Sequence, residues 1–296
     1  MPTRPERVDQ VSLASRGSFW VLRGLEESDL AEILAAHREK AKHGWWIKNN
    51  RGSLVTLVST ESRGLSSRLD GVSEVVVKEA RLAWRRRLAH RFGTVSRFCR
   101  DFAVADRLEA MSIATPGVVA ASHRPVGPCE YEVTAYIPES RTLRECLWLG
   151  ERTLETESER TELLRRAGGW LRRAHDAGLW QRDLKPNNIL VRTESRGPDE
   201  GIELFLLDVT AVRFFAGPLG EDQRARNLSQ LLDLPAALDA EAVPALLSGY
   251  TGGDEDGMRR LENRVREDVR ARRDRRRART GFLYVDEEHF GYGERP

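Results

Sequence analysis

The sequence predicts an α+β fold in two parts: a small, mostly β N-terminal lobe and a larger helical C-terminal lobe. Three observations predict it. Residues 45–140 carry short runs of alternating apolar residues around one helical stretch. The alternation stops near residues 138–142. Beyond that point apolar residues recur at helical spacing, over 157–177 and again across 221–270. The division is then 1–44 as an N-terminal extension, 45–140 as the small lobe, 141–257 as the large lobe, and 258–296 as a basic helix and tail.

Each element has its own signal. Residues 17–60 read as helix or loop and then strand, with Leu54, Thr56 and Val58 sharing one face. The β-branched run in VSEVVVKEAR, 72–81, predicts a strand ending near Lys78. Phe98, Phe102, Ala105, Leu108 and Met111 recur at helical spacing within 94–112. ATPGVVAAS, 114–122, reads as a loop entering a strand, and EYEVTAYI, 130–137, alternates as another. The helix at 157–177 carries Leu163, Leu164, Ala167, Trp170, Leu171 and Ala174 inward and stops at Gly178. A short strand, 189–191, then a Gly/Pro/Ser/Glu-rich connection, 193–201, lead into the apolar strand IELFLLDV.

Composition excludes some classes. The chain has 296 residues, about 40% apolar and 32% charged, with a net charge of +2, too small to argue for nucleic acid. Cys99, Cys129 and Cys146 form no CxxC pair and read as reduced thiols. The N-terminus lacks a secretory apolar core, and no window approaches a membrane span. The expected location is cytoplasmic, or peripheral on the inner membrane. Of 48 basic residues only five are lysine: Lys40, Lys42, Lys48, Lys78 and Lys185. A lysine kept in so arginine-rich a chain points to chemistry.

Residues 180–191 read WQRDLKPNNILV. Asp183 and Asn188 are five apart, Lys185 follows the aspartate by two, and Asp208 closes the next apolar strand. That is the order of a kinase-type phosphotransfer site. Asp183 would orient the acceptor hydroxyl and take its proton. Asn188 and Asp208 offer the hard oxygen ligands that Mg²⁺ requires. Lys185 would offset charge on the transferred phosphoryl. Lys78, on a small-lobe strand, suits the α/β-phosphates of ATP. Two of the five lysines thus fall at these two positions. A plain polar helix–strand turn explains one such residue, not the ordered set.

These residues carry a resemblance. LRRAHDAGLWQRDLKPNNILV, LLDVTAVRF with RARNLSQLLDL, and SRFCRDFAVADRLEAMSIATPGVVA together resemble the protein-kinase-like superfamily. Within it they are most similar to the bacterial lipopolysaccharide core (Kdo/heptose) kinases, over roughly residues 45–250. The resemblance implies a bilobal kinase-like fold, ATP and Mg²⁺ as cofactors, and a lipid-linked saccharide as acceptor. It implies an acid on the 94–112 helix as partner to Lys78. Asp101, Asp106 and Glu109 share that helix, and Asp101 aligns best.

The chain departs from the protein-kinase pattern in four places. Gln181 stands where His is usual, and it too can donate and accept hydrogen bonds. DVT replaces Asp-Phe-Gly, as in lipopolysaccharide kinases. The phosphate-covering loop is reduced to NNRGSL, with Gly52 its one glycine. About a dozen residues separate DVT from the next helix, which argues for a non-protein acceptor.

The rivals are a Ser/Thr protein kinase or small-molecule phosphotransferase, and a non-catalytic pseudokinase that binds a partner. Residues 258–280 hold eleven arginines against four acids, with Leu261, Val265 and Val269 as a thin apolar stripe. That segment reads either as a solvated helix on the large lobe or as a basic face for an anionic membrane surface. It lacks the interleaved aromatics of nucleic-acid binders.

Overall fold

The computed structural model describes residues 5–50, 52–61, 66–69, 71–148, 156–193, 201–232 and 239–280. The chain forms two units. Among the described residues, the first holds those up to Glu109 together with Pro116–Ile137, and the second holds Ala110–Thr115 and those from Pro138 onward. Strands concentrate in the first and helices in the second.

In the first unit, seven strands build one antiparallel sheet. They are β1 (Val8–Leu13), β2 (Gly17–Leu22), β3 (Lys48–Asn50), β4 (Ser53–Ser59), β5 (Glu74–Arg81), β6 (Val118–Pro125) and β7 (Cys129–Ala135). Their order across the sheet is β1-β2-β6-β7-β5-β4-β3. Three helices belong to this unit: α1 (Glu27–Lys42), α2 (Trp84–Arg91) and α3 (Cys99–Ala110).

The two-residue period of a strand gives this sheet two apolar faces. Phe19 and Val21 of β2, Val75 and Val77 of β5, and Val133 of β7 cluster with Leu30, Ile33 and Leu34 of α1. Trp20, Ala80 and Ala121 point the other way and meet Phe98, Phe102 and Ala105 at α3. By the same parity Lys78, Glu130 and Glu132 fall on the α3 face. Position on this sheet, rather than local sequence, decides what Lys78 meets.

Two parts of this unit differ from the sequence expectation. The stretch 1–44, read as an extension, supplies β1, β2 and α1, and both strands are integral to the sheet. Its β1, VDQVSL, alternates poorly. It is a strand because its residues pair with β2 in register, from Val8↔Leu22 to Leu13↔Gly17. That contact is invisible to a local pattern. The second difference is α2, whose WRRRLAHR carries too few apolar residues to announce a core helix.

In the second unit, β8 (Ser140–Thr142), β10 (Ile189–Thr193) and β11 (Ile202–Leu206) form a sheet in the order β11-β10-β8. A separate pair joins β9 (Leu179–Gln181) to β12 (Val212–Phe214). The helices are α4 (Leu143–Trp148), α5 (Glu157–Asp176), α6 (Glu221–Leu231), α7 (Asp239–Thr251) and α8 (Glu255–Thr280). Most of the 193–201 connection and the tail 281–296 lie outside the described residues.

Reciprocal capping starts α5. Thr156 Oγ1 accepts from the Glu159 amide at 3.2 Å, and the Glu159 carboxylate accepts from the Thr156 amide at 3.0 Å. Two glycines set how closely α5 and α7 cross. A Cβ on Gly168 would lie 2.1 Å from the Leu246 carbonyl oxygen, and one on Gly249 would lie 1.8 Å from that of Arg165. The basic segment is helix α8, and its stripe is used within the chain, since Val265 and Val269 are buried. Arg264 pairs with Asp222 of α6, and Arg272 Nε donates to Ser229 Oγ at 3.1 Å. No helix among the described residues is long and apolar enough to cross a membrane.

The helix crossing is testable. Gly249→Ala forces α5 and α7 apart and should cost about 1–3 kcal/mol in denaturant unfolding. Gly217→Ala, where a Cβ meets nothing within 4 Å, should stay within about 0.5 kcal/mol of the parent.

Candidate active site

Two antiparallel pairs hold two loops side by side. The β9–β12 pair sets Gln181 opposite Val212, and the β10–β11 pair sets Ile189 opposite Leu206. Between them run residues 182–188 and 207–211. Each end is stitched across: the Leu207 amide donates to the Asn188 carbonyl at 2.8 Å, and the Arg182 amide donates to the Ala211 carbonyl at 3.2 Å. Asp183, Lys185, Asn188 and Asp208 are therefore brought together on these two loops of the second unit.

Asp183 is half exposed, and Lys185 Nζ lies 2.9 Å and 3.0 Å from its two carboxylate oxygens. Asn188 ends the 3-10 turn Pro186–Asn188, and its Nδ2 donates to the Asp183 carbonyl at 2.8 Å. Asp208 is exposed and left-handed, with φ 52° and ψ 53°, a conformation Asp tolerates better than most residues. The chain turns there from β11 into the 3-10 turn Val209–Ala211. Thr210 Oγ1 lies 3.3 Å from Asp208 Oδ1.

Gln181 sits beneath both loops and is fully buried. Its Nε2 donates to the carbonyls of Leu207 at 3.3 Å and Asp208 at 3.0 Å. Its Oε1 lies 3.5 Å from the Asp183 amide. The residue in the usual histidine position thus organises the loop through hydrogen bonds, as its chemistry allows.

A second layer holds Gln181. Asn227 of α6 donates through Nδ2 to the Gln181 carbonyl at 2.7 Å and to Gln230 Oε1 at 2.8 Å. Gln230 Nε2 in turn donates to the Arg182 carbonyl at 2.8 Å. With both amide hydrogens committed, Asn227 Oδ1 must accept, so His175 Nε2, 3.2 Å away, carries the proton. His175 Nδ1 is then the acceptor for the Tyr250 hydroxyl at 2.8 Å. Tyr250 also accepts from Arg224 at 3.1 Å, and Arg224 reaches Asp176 at 2.7 Å. The tautomer follows from the network. Burial holds the imidazole neutral, with its pKa lowered from 6.5 to about 4 and nearby Arg224 adding to the shift.

The sequence reading missed this layer. Its signal is Asn227 and Gln230 on the same helix as the buried Ala225, Leu228 and Leu231, while being fully or nearly fully buried themselves. A buried carboxamide needs partners, which is a reason to look for backbone beneath it.

The remaining candidates lie in the first unit. Lys78 is in the middle of β5, opposite Glu132 of β7. Its Nζ is 3.6 Å from Glu132 Oε2 and 5.3 Å from the centre of the Phe98 ring. Phe98 immediately precedes α3, so the ammonium lies at the first turn of that helix. Asp101 is in that turn and fully buried. Glu132 was not anticipated, although it directly faces Lys78 across the strand pair. Gly52 is at the tip of the β3–β4 hairpin, where Asn50 Oδ1 accepts from the amides of Gly52 at 3.0 Å and Ser53 at 2.8 Å. The Gly52 carbonyl accepts from the Arg81 amide at 3.0 Å, which ties the tip to the end of β5.

Residues 47–250 match the family model described as "Lipopolysaccharide kinase (Kdo/WaaP) family", and the chain belongs to that family. Among solved structures it is similar to "WaaP in complex with acyl carrier protein". The TM-score is 0.51 at 17% identity, with 83% of this chain and 98% of that chain covered, so the kinase-like fold is shared. No curated protein sequence matches the chain.

The neutral His175 makes stability depend on pH. Its folded pKa lies below the unfolded 6.5, so its contribution is complete above pH 6.5 and is lost as pH falls toward about 4. Over that window the loss should approach ~3 kcal/mol. Thermal unfolding of His175→Gln should be lower at neutral pH and flatter between pH 6.5 and 4 than that of the parent.

Proposed function

We propose that this lipopolysaccharide kinase family member transfers the γ-phosphoryl group of ATP to a sugar hydroxyl of a lipopolysaccharide core or similar lipid-linked saccharide. One observation carries the reading: Asp183, Asn188 and Asp208 are set side by side by the Leu207–Asn188 and Asn188–Asp183 hydrogen bonds.

Asp183 orients the acceptor hydroxyl and accepts its proton, and its half-exposed carboxylate can be reached by an acceptor. Lys185, already against that carboxylate, supplies positive charge beside the transferred group. Asn188 and Asp208 would hold Mg²⁺. A single carboxylate and an amide suit an ion that keeps waters and takes its remaining ligands from phosphate. When bound, the metal neutralises charge developing on the phosphates. Lys78 grips the α/β-phosphates as a point charge, with Asp101 on α3 as the acid implied by resemblance and Glu132 against its ammonium. Gly52 belongs to the hairpin that covers the phosphates.

The acceptor reading draws support from the short stretch after Asp208. Only β12 and a few residues intervene before α6 begins at Glu221. A peptide acceptor needs a longer docking segment than that.

Three measurements test the proposal. Incubation with labelled ATP and Mg²⁺ should place label in lipopolysaccharide core extract, and not in casein or aminoglycosides. Acyl carrier protein belongs in a parallel reaction, because the solved relative is a complex with it. Label entering only casein would favour a protein kinase. Asp183→Asn should lower transfer by about 10²–10⁴ while leaving nucleotide binding intact. Lys78→Met should weaken productive use of ATP without unfolding the protein, and unchanged kinetics would remove Lys78 from the site.

A further inference from the structure

The helix α2 is fixed on one side and open on the other. Arg86 reaches inward to the buried Glu130 at 3.6 Å, and that carboxylate also meets Arg97 at 2.9 Å and Ser96 Oγ at 2.7 Å. His90, one turn on, is buried and lies 2.6 Å through Nδ1 from the Thr94 carbonyl oxygen. Residues four apart share a helix face. Trp84, Leu88 and Phe92 therefore form one stripe opposite Arg86 and His90. Their exposures are 68%, 46% and 82%. Three large apolar side chains in one line are a contiguous patch rather than scattered surface.

The charge around the stripe has one sign. Between Arg81 and Arg100 the chain holds seven arginines and no acid. Arg85 and Arg87 are exposed beside the stripe, as is Arg91, and Arg85 stacks over Trp84 at 5.4 Å. An apolar line with Trp at one end, Phe at the other and arginines along both edges is the composition of a helix lying in a bilayer interface. The rings sit at headgroup depth while guanidinium heads reach back to lipid phosphate. The exposed cations match the negative charge of an anionic bilayer surface.

We propose that α2 is a membrane-docking helix that seats the protein on an anionic lipid surface through Trp84, Leu88 and Phe92, with Arg85, Arg87 and Arg91 on lipid phosphates. Unlike α8, whose Val265 and Val269 are buried in the fold, α2 presents its apolar stripe outward. The proposal stands on the geometry of α2 and does not depend on the reaction assigned above.

The test is sedimentation of the full chain with vesicles of phosphatidylethanolamine and phosphatidylglycerol, and with vesicles of phosphatidylcholine alone. The protein should sediment with the anionic vesicles and be released by salt. Trp84→Ser/Leu88→Ser/Phe92→Ser should weaken binding about tenfold or more, and so should Arg85→Glu/Arg87→Glu/Arg91→Glu, with Arg86 left in place to hold Glu130. ATP binding and thermal unfolding, followed on the same samples, should be unchanged, which separates lost docking from lost folding or catalysis. Equal binding by parent and both variants overturns the proposal. So does a parent that ignores both vesicles yet is retained by poly-glutamate through α2, since the occupant is then an acidic protein.

Discussion

The loops that carry the candidate chemistry depend on one buried carboxamide. Gln181 presents two donors and an acceptor to the backbone of both loops from beneath. Its own carbonyl is claimed from below by Asn227. Each link beyond that, to His175, Tyr250 and Arg224, exists because a buried polar group without a partner costs roughly 1–3 kcal/mol. The network has a single consistent direction of donation, from Arg224 inward. It joins α5, α6 and α7 to the 182–188 and 207–211 loops without placing a charge in the core.

The first unit solves a different problem by different means. A sheet with helices on both faces leaves few places where a charged side chain can be partly buried. Lys78 occupies one because its strand parity directs it to the α3 face, where Phe98 and Glu132 receive the ammonium. One residue earlier or later in register would send it toward α1. Pairing on both sides of β5 excludes such a slip, since seven consecutive residue pairs join it to β4 and seven to β7.

Local periodicity made the helical second unit, the helix within 94–112 and the strands around Lys78 legible, since each presents a regular apolar face. The loop motif was legible through residue type and spacing. Three things were not. β1 owes its conformation to β2. The roles of Asn227 and Gln230 appear only when α6 is set under the loop. Glu132 becomes the neighbour of Lys78 through pairing between strands distant in sequence. All three arise from contacts between remote parts of the chain, and one-dimensional periodicity contains no such information. A count of arginines drew attention to 258–280, whereas the exposed apolar side chains Trp84, Leu88 and Phe92 become visible only in the folded chain.

The pairing of β12 with β9 bears on control. In enzymes where the stretch after the metal-binding aspartate is long, it can melt and reorder, and cells exploit that as an on–off switch. Here the stretch is hydrogen-bonded back onto β9 almost at once, through Arg213↔Trp180 and Phe214↔Leu179, and the Phe215 amide continues the contact to the Gly178 carbonyl. Residues 209–215 are thus carried by the same strand pair that ends in Gln181, and the backbone on either side of Asp208 is anchored to one buried side chain.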